Sequence, residues 1–262
     1  MKLTDAQWAR IEPLIVSPPK RPDRRGRPRR ADREILEAIL WILQTGAPWA
    51  KLPAHFPPRS TCHDRFQAWN RNGTLQRILQ VLAEELHQQG KLKLSECFID
   101  ACFVAAKKGG RVLGKTKRGK GSKLMAIADA NGMPLAVLVA SASPHETRLV
   151  EATLAARFTE ARPVRLIGDR AYDSDPLDKA LAQQGIEMIA PHRRNRKRKK
   201  TQDGRKLRRY RRRWKVERLF AWLGHFRRIV MRHERYAENY LGFVLLGCLM
   251  IFLRTFFGWL LL

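Results

Sequence analysis

Three acidic residues stand where an acid is least expected. Asp100 interrupts the apolar run LSECFIDACFVAA (94–106), and a lone acid inside a buried strand is costly unless it lies at an edge or binds something. Asp169 closes the segment VRLIGD (164–169) and precedes Arg-Ala-Tyr-Asp. Glu217 is one of two acids in the segment 193–218, where sixteen of twenty-six residues are Lys or Arg. On a helix, Tyr210, Arg213 and Glu217 fall at i, i+3 and i+7 and share one face. Converging carboxylates in a basic setting suit one chemistry above others. Phosphodiester cleavage needs an aligned nucleophile and relief of charge on the phosphoryl oxygens, and two divalent ions about 4 Å apart supply both. Mg²⁺ prefers hard oxygen ligands, and the ions cancel the repulsion that the carboxylates would otherwise suffer. Each acid also has a plain structural reading: Asp100 as a paired acid, Asp169 as a helix cap, Glu217 as a neutraliser of nearby arginines. Composition alone does not join the three. Asp129 and Asp173 read as strand-end or turn residues. His145 and Glu146 read either as a polar pair entering a site or as a helix N-terminus. Cys97, Cys102 and His63 have no metal-ligand spacing around them.

Such a site would sit in an unusually basic chain. Its 262 residues carry 52 Lys plus Arg against 24 Asp plus Glu, a formal charge of +28. Self-repulsion of that size weakens a folded state. A polyanion relieves it and releases counterions on binding, so DNA or RNA is the expected partner. The four cysteines, Cys62, Cys97, Cys102 and Cys248, form no CxxC pair, which removes support for a zinc ribbon and fits reduced, buried thiols. The first twenty residues hold no uninterrupted apolar stretch, so the expectation is a cytoplasmic protein without a signal peptide.

The elements that must position the acids follow from periodicity. Residues 1–90 read as a helical domain for DNA binding or dimerisation. Thr4 caps a first helix carrying Trp8, Ile11 and Glu12. The stripe Ile35, Ile39, Ile42 and Leu43 marks a second, which stops at Gly46 and Pro48. Ser60 caps a third, with Phe66 and Trp69 inward and Arg59, Arg65 and Arg71 outward. Leu75, Ile78, Leu79, Leu82 and Leu86 mark a fourth. Helix, turn and short helix with basic flanks suggest a helix-turn-helix, or a packing domain only. Between the first two helices, 17–30 is a basic, Pro-rich arm. Its Arg25-Gly26-Arg27-Pro28-Arg29 core has the flat form that enters an A/T-rich minor groove.

From residue 94 to 262 the pattern becomes α/β. Strands are expected at 94–106, Lys123–Asp129, Pro134–Ala140, 164–169 and 186–191, with a hairpin turn at Asn131-Gly132. A helix opens at Pro144 and another spans Ser174–Gln184. This predicts a mixed sheet flanked by helices, with Asp169 at a strand's carboxyl end, where open sheets place their sites. Residues 105–122 hold five Gly and seven Lys or Arg and read as a mobile basic loop. The segment 205–230 reads as one long helix with Val216, Leu219, Leu223, Phe226 and Val230 inward. The tail 241–262 is long and apolar enough for a membrane span. Arg254 in its interior is costly there, so a buried helix packed on the sheet or on another subunit is the preferred expectation, with no membrane partner.

Several segments together resemble the transposases of bacterial insertion sequences that carry a DDE triad on an RNase H-like domain. They are LTDAQWARIEPLI, RGRPRRADREILEAILWILQTGAPWAKLP, FIDACFV, LIGDRAYDSD and YRRRWKVERLFAWLGHFRRI, extending from residue 2 to about residue 235. The resemblance implies an RNase H-like mixed sheet preceded by the all-helical N-terminal domain and ending in the buried apolar helix. It implies that Asp100, Asp169 and Glu217 are both catalytic residues and ligands of two Mg²⁺ ions per site, with Mn²⁺ as the alternative. It further implies binding to terminal inverted repeats, hydrolysis that frees a 3′-hydroxyl at each end, attack of that hydroxyl on target DNA, and a homodimer or higher oligomer in the synaptic complex on the bacterial nucleoid. In the signature of that family six residues follow the Glu before a Lys or Arg. Here the sixth and seventh residues beyond Glu217 are Leu223 and Gly224; the signature position falls on Gly224, a departure from the pattern, with Arg227 and Arg228 one turn further on. DNA contacts are expected from Arg25, Arg27, Arg29, Lys107, Lys108, Lys117, Arg118, Lys123, Arg193, Arg194, Tyr210, Arg213, Arg227 and Arg228, those of the 105–122 and 193–213 segments being to phosphates. A metal-dependent nuclease of the same fold, or an inactive DNA-binding copy, are the competing readings.

Overall fold

Thr4 opens the first helix with a capping box. Its hydroxyl accepts from the Gln7 amide (3.2 Å) and its own amide donates to the Gln7 side chain (3.0 Å), so α1 runs Asp5–Ile11. The computed structural model describes residues 2–16, 29–197, 199, 201 and 203–258. Arg25 and Arg27 of the expected minor-groove arm lie outside the described residues. Helix α2, Asp32–Thr45, buries the stripe Ile35, Ile39, Ile42 and Leu43. It ends on Gly46 at φ +70, where an added Cβ would also lie 3.0 Å from the Cβ of Arg227, so both conformation and space favour glycine. Helix α3, Arg59–Arg71, begins directly after Pro58. Ser60 therefore falls within its first turn and does not cap it. Phe66 and Trp69 point inward as expected. Arg65 does not point outward, because its guanidinium pairs with Asp32 on α2. Asn72-Gly73 leads into α4, Thr74–Gln88, whose five leucine and isoleucine positions are buried.

The sheet is built from β1 (Cys97–Ala105), β2 (Gly114–Thr116), β3 (Gly119–Ala128), β4 (Pro134–Ser141), β5 (Arg165–Ile167) and β6 (Glu187–Ile189). Strand β1 pairs antiparallel with β3, which pairs antiparallel with β4 and β2; β1, β5 and β6 run parallel. The result is the mixed sheet that the alternation of elements predicts. The turn into β4 is fixed by the buried Asp129, which accepts from the amides of Asn131 (2.8 Å) and Met133 (2.7 Å). The basic stretch 105–122 is more ordered than its composition suggests. It holds the whole of β2 and the first residues of β3, because backbone pairing needs no apolar side chains. Helix α5, Val150–Ala155, follows a 3-10 turn at Glu146–Leu149, and α6 spans Asp175–Gln183.

The expected long helix at 205–230 is broken into α7 (Gly204–Leu207), a 3-10 stretch at Arg208–Arg212, α8 (Trp214–Gly224) and α9 (Arg227–Val230). The break falls at Phe226, whose backbone is extended (φ -84, ψ 98); leaving the helix there lets Phe226 and Ile229 both be buried. Helix α10, Ala237–Phe257, packs against α2, α3, α4, α8 and β4. It is long and apolar enough to cross a membrane, and 72% of that apolar window is buried within the protein. A single apolar core therefore runs from the N-terminal helices through α10 to the sheet.

Candidate active site

Parallel pairing places two of the three acids abreast. Phe98 on β1 is level with Ile167 on β5, so two residues further along each chain come Asp100 and Asp169. The Asp100 carboxylate accepts from the Ala101 amide (2.8 Å) and from Arg213 Nη1 (2.6 Å). Burial raises its pKa and the charge of Asp169 raises it further, against the pull of the Ala101 amide and Arg213. Asp169 accepts from the Ala171 amide (2.8 Å) and so caps the 3-10 turn Arg170–Tyr172. The capping role and nearness to Asp100 coexist. One wall of the adjoining cleft, about 420 Å³ in volume, is formed by Asp169, Arg170, Pro191, Leu207 and Tyr210.

Glu217 comes from the first turn of α8. Its carboxylate is 53% exposed and receives Arg213 Nη2. Arg213 thus spans Asp100 and Glu217, with the Tyr210 ring 5.8 Å from its guanidinium. The shared face predicted for Tyr210, Arg213 and Glu217 is realised, though Tyr210 lies in the 3-10 stretch rather than in the helix. Glu96 clamps that stretch from the start of β1, accepting from Arg209 Nε (2.7 Å) and Arg212 Nη2 (2.6 Å). Sequence reasoning missed Glu96. Its only signal was an acid immediately before the apolar run of β1.

The donor set is oxygen only, which suits a hard divalent cation. Two abreast carboxylates, one with its pKa raised by the other, are what such a cation would relieve. Tyr172, three residues beyond Asp169, is fully buried, and its hydroxyl has no hydrogen-bond partner among the described residues. Among the described residues, no three Asp, Glu, His or Cys side chains stand close enough to hold a metal as they are placed. Glu217 would have to leave Arg213 to complete the set.

The expected DNA contacts divide. Arg29, Lys107, Lys108, Lys117, Arg118, Arg194 and Arg227 are exposed. Arg193 is exposed but donates to the carbonyls of Arg170 (3.2 Å) and Ala171 (2.9 Å). Two of these side chains are turned inward. Arg228 is 6% exposed, ion-paired with Glu234 (2.6 Å) and bonded to the carbonyls of Gly46 (3.3 Å) and Ala47 (3.1 Å); it faces the core, so no phosphate reaches it. Lys123 is turned toward the Pro144 carbonyl (2.8 Å) and Glu146 (3.5 Å).

Comparison with known proteins agrees with this architecture. The family described as "Transposase DDE domain" matches residues 91–253, and that described as "Putative transposase of IS4/5 family" matches residues 3–79. The fold and paired acids define an RNase H-like protein of the DDE class. The chain belongs to the DDE transposase family. It is 37% identical over 143 residues to the "Putative transposase for insertion sequence element IS402" of Burkholderia cepacia, covering 52% of this chain and 64% of that protein. An "Insertion element IS402 uncharacterized 16.2 kDa protein" of the same species is 33% identical over 119 residues, 44% of this chain and 80% of that one. The chain thus spans less than two thirds of the length of the first of these relatives. The fold is also that of the piggyBac transposase in its synaptic complex with hairpin DNA, with TM-score 0.54 at 10% identity, covering 94% of this chain and 69% of that chain.

Proposed function

We propose that this chain is a DNA transposase that binds the terminal inverted repeats of an insertion sequence, cleaves the ends to free 3′-hydroxyl groups and joins them to target DNA. The observation that carries the reading is the abreast pair Asp100 and Asp169, with Arg213 tying Glu217 to the same place. Asp100, Asp169 and Glu217 would hold two Mg²⁺ ions, or Mn²⁺. When bound, the ions supply charge relief at the phosphoryl oxygens and alignment of the nucleophile. The chain's own residues do the positioning. Asp100 is held by the Ala101 amide and Asp169 by the Ala171 amide, so neither carboxylate swings away. Arg213 neutralises Asp100 and Glu217 before DNA arrives and is free to turn to a phosphate once they gain another counter-charge. Exposed Lys107, Lys108, Lys117, Arg118, Arg194 and Arg227 give affinity without sequence. The helical region 1–90 would read the repeat or join two subunits, and 94–262 would do the chemistry. Bringing two ends together requires at least a dimer, working at the bacterial nucleoid.

The test is a labelled duplex carrying the element's own end, incubated with the protein in Mg²⁺ and separately in EDTA. Nicking at the element boundary is expected only with Mg²⁺, and is lost in Asp169→Asn and Glu217→Gln while binding persists. Equal cleavage by wild type and Asp169→Asn would sink the triad. Gly224 favours the second reading, an inactive copy that still occupies element ends; specific binding without cleavage under any divalent ion would select it.

A further inference from the structure

The basic stretch after β1 contains a ribbon that outruns the rest of the sheet. Strand β1 stops pairing with β3 at Ala105 opposite Gly121, and β4 stops at Ser141 opposite Ser122. The Ala106 amide adds one bond to the Lys120 carbonyl (3.1 Å). Beyond that, β3 is followed by β2 alone, with Gly114 opposite Gly121 and Thr116 opposite Gly119. A two-residue turn, Lys117-Arg118, closes the ribbon. The Thr116 hydroxyl donates to the Gly119 carbonyl and accepts from the Arg118 amide, both at 3.1 Å, so the turn is fixed without apolar contacts. From Gly121 to Arg118 the ribbon is roughly 10 Å long, at about 3.3 Å per residue. Lys115, Lys117, Arg118 and Lys120 are exposed, and none of the four is ion-paired among the described residues.

The base of this ribbon is held firmly. The Arg232 guanidinium, 1% exposed, donates to the carbonyls of Arg111 (2.7 Å) and Val112 (3.2 Å) and to the Ser122 hydroxyl (2.6 Å). That hydroxyl donates in turn to the Val112 carbonyl (2.9 Å). A Cβ on Gly114 would stand 2.3 Å from the Ser143 hydroxyl oxygen, and one on Gly121 2.3 Å from the Val104 carbonyl oxygen. Val112 itself sits at φ +58, which a β-branched residue rarely adopts. Such strain persists only where the surroundings over-determine it. A loose basic loop would supply affinity as well. A rigid one fixes where each cation stands, and that matters for reading base edges more than for meeting phosphates.

The major groove of DNA, about 12 Å wide and about 8.5 Å deep, admits a two-stranded ribbon, whereas the minor groove, about 6 Å wide, is too narrow for one unless it is opened. Resting on the transposase reading above, we propose that the β2–β3 hairpin enters the major groove of the element's end and that Arg118, at its tip, reads a guanine there through O6 and N7. This goes beyond the phosphate contacts expected of the hairpin, which Lys115 and Lys120, further back, would still make. Asp100 precedes Ala105 by five residues on β1. With the three residues of ribbon, the tip lies no more than roughly 26 Å from Asp100 along the strands, a span of about eight base pairs at about 3.4 Å each.

The experiment uses the full chain in gel-shift titrations on two duplexes, the element's own end and a scrambled duplex of equal length and composition. The end duplex is also probed after partial methylation at guanine N7, which lies in the major groove. Arg118 is exposed and its φ is not positive, so Arg118→Ala leaves the fold intact, which an unchanged melting temperature checks. Arg118→Ala is expected to bind the end at least tenfold more weakly and the scrambled duplex less than threefold more weakly. A guanine within about eight base pairs of the element boundary, whose methylation blocks wild type, should no longer matter to the variant. Arg118→Lys keeps the charge but not the two-pronged donor, so it should restore scrambled binding fully and end binding only in part. Equal losses on both duplexes, full recovery by Arg118→Lys, or an unaltered methylation pattern would each overturn the proposal, leaving the hairpin a phosphate contact and the transposase reading untouched. If wild type itself does not prefer the end duplex, specific end binding fails first and the proposal falls with it.

Discussion

Gly224 is the one position where the family signature and this chain part, and its surroundings decide what a change there would do. It is exposed, closes α8, and has nothing within 4 Å of the place where a Cβ would stand. A lysine would meet no clash and would improve helix propensity by up to about 1 kcal/mol. Gly224→Lys is therefore expected to leave the melting temperature unchanged or slightly raised and to tighten binding of an end duplex, with log Kd gaining about one unit of dependence on log salt for one added phosphate contact. Gel-shift titrations at several salt concentrations measure this; unchanged affinity and slope would show that α8 does not face DNA at that turn. The same scale shows what residue types in sequence can reveal. Asp100 and Asp169 stood out because an acid within or closing an apolar run is anomalous, though only the family resemblance joined them. Arg228 and Lys123 fold inward, and nothing in a Lys- and Arg-rich sequence tells which few of those side chains do so. Glu96, which holds Arg209 and Arg212, was invisible because its partners lie more than a hundred residues away.

At the scale of elements, α6 carries an acid whose environment predicts a pH dependence. Burial, then Asp175 and Asp173, push the Asp178 pKa up to about 6, against Arg196 and His192. Its Oδ1 is buried without a hydrogen bond among the described residues. A carboxyl with a folded-state pKa above its unfolded value makes the folded state the better proton binder, so stability falls as pH rises from about 3.8 to about 6 and the penalty persists above. Asp178→Asn is expected to stabilise the protein at pH 7 and to have little effect near pH 4. Urea denaturation at the two pH values tests it; equal effects at both would show that Asp178 ionises without penalty. Elements with an apolar period were legible: α2, α4 and α10 and the hairpin β3–β4 fall where expected. Those held by other forces were not. The β2–β3 pairing rests on backbone hydrogen bonds in a stretch of glycines and lysines. It is further secured by Arg232, 1% exposed, which donates to the Ser122 hydroxyl (2.6 Å) and the carbonyls of Val112 (3.2 Å) and Arg111 (2.7 Å). The break at Phe226 serves tertiary packing, which helical periodicity alone does not encode.

Over the whole molecule, the question is whether the N-terminal helices and the sheet are held as one cooperative unit. Two features bind them. Helix α10 lies in a common core with α2, α3, α4 and β4. Arg228, just inside α9, reaches the carbonyls of Gly46 and Ala47 beyond α2 while paired with Glu234, the two side chains 7% and 5% exposed. Its guanidinium also lies 5.5 Å from the Phe243 ring of α10. Removing the acid leaves a buried charge with only carbonyls to satisfy it, at a cost of about 3 kcal/mol or more. Glu234→Ala should therefore lower the unfolding free energy by about that amount, and Arg228→Met combined with Glu234→Ala should recover part of the loss, because the pair of changes leaves no unpaired charge. The shape of the transition matters as much as its midpoint. If the family matches at 3–79 and 91–253 marked two independent folding units, weakening this clasp would split unfolding into two steps, read separately by helix signal and tryptophan fluorescence. A shared α10 core predicts instead that both probes move together in wild type and in Glu234→Ala. Non-coincident transitions would mean that the clasp, and not the core, is what joins the helices to the site they serve.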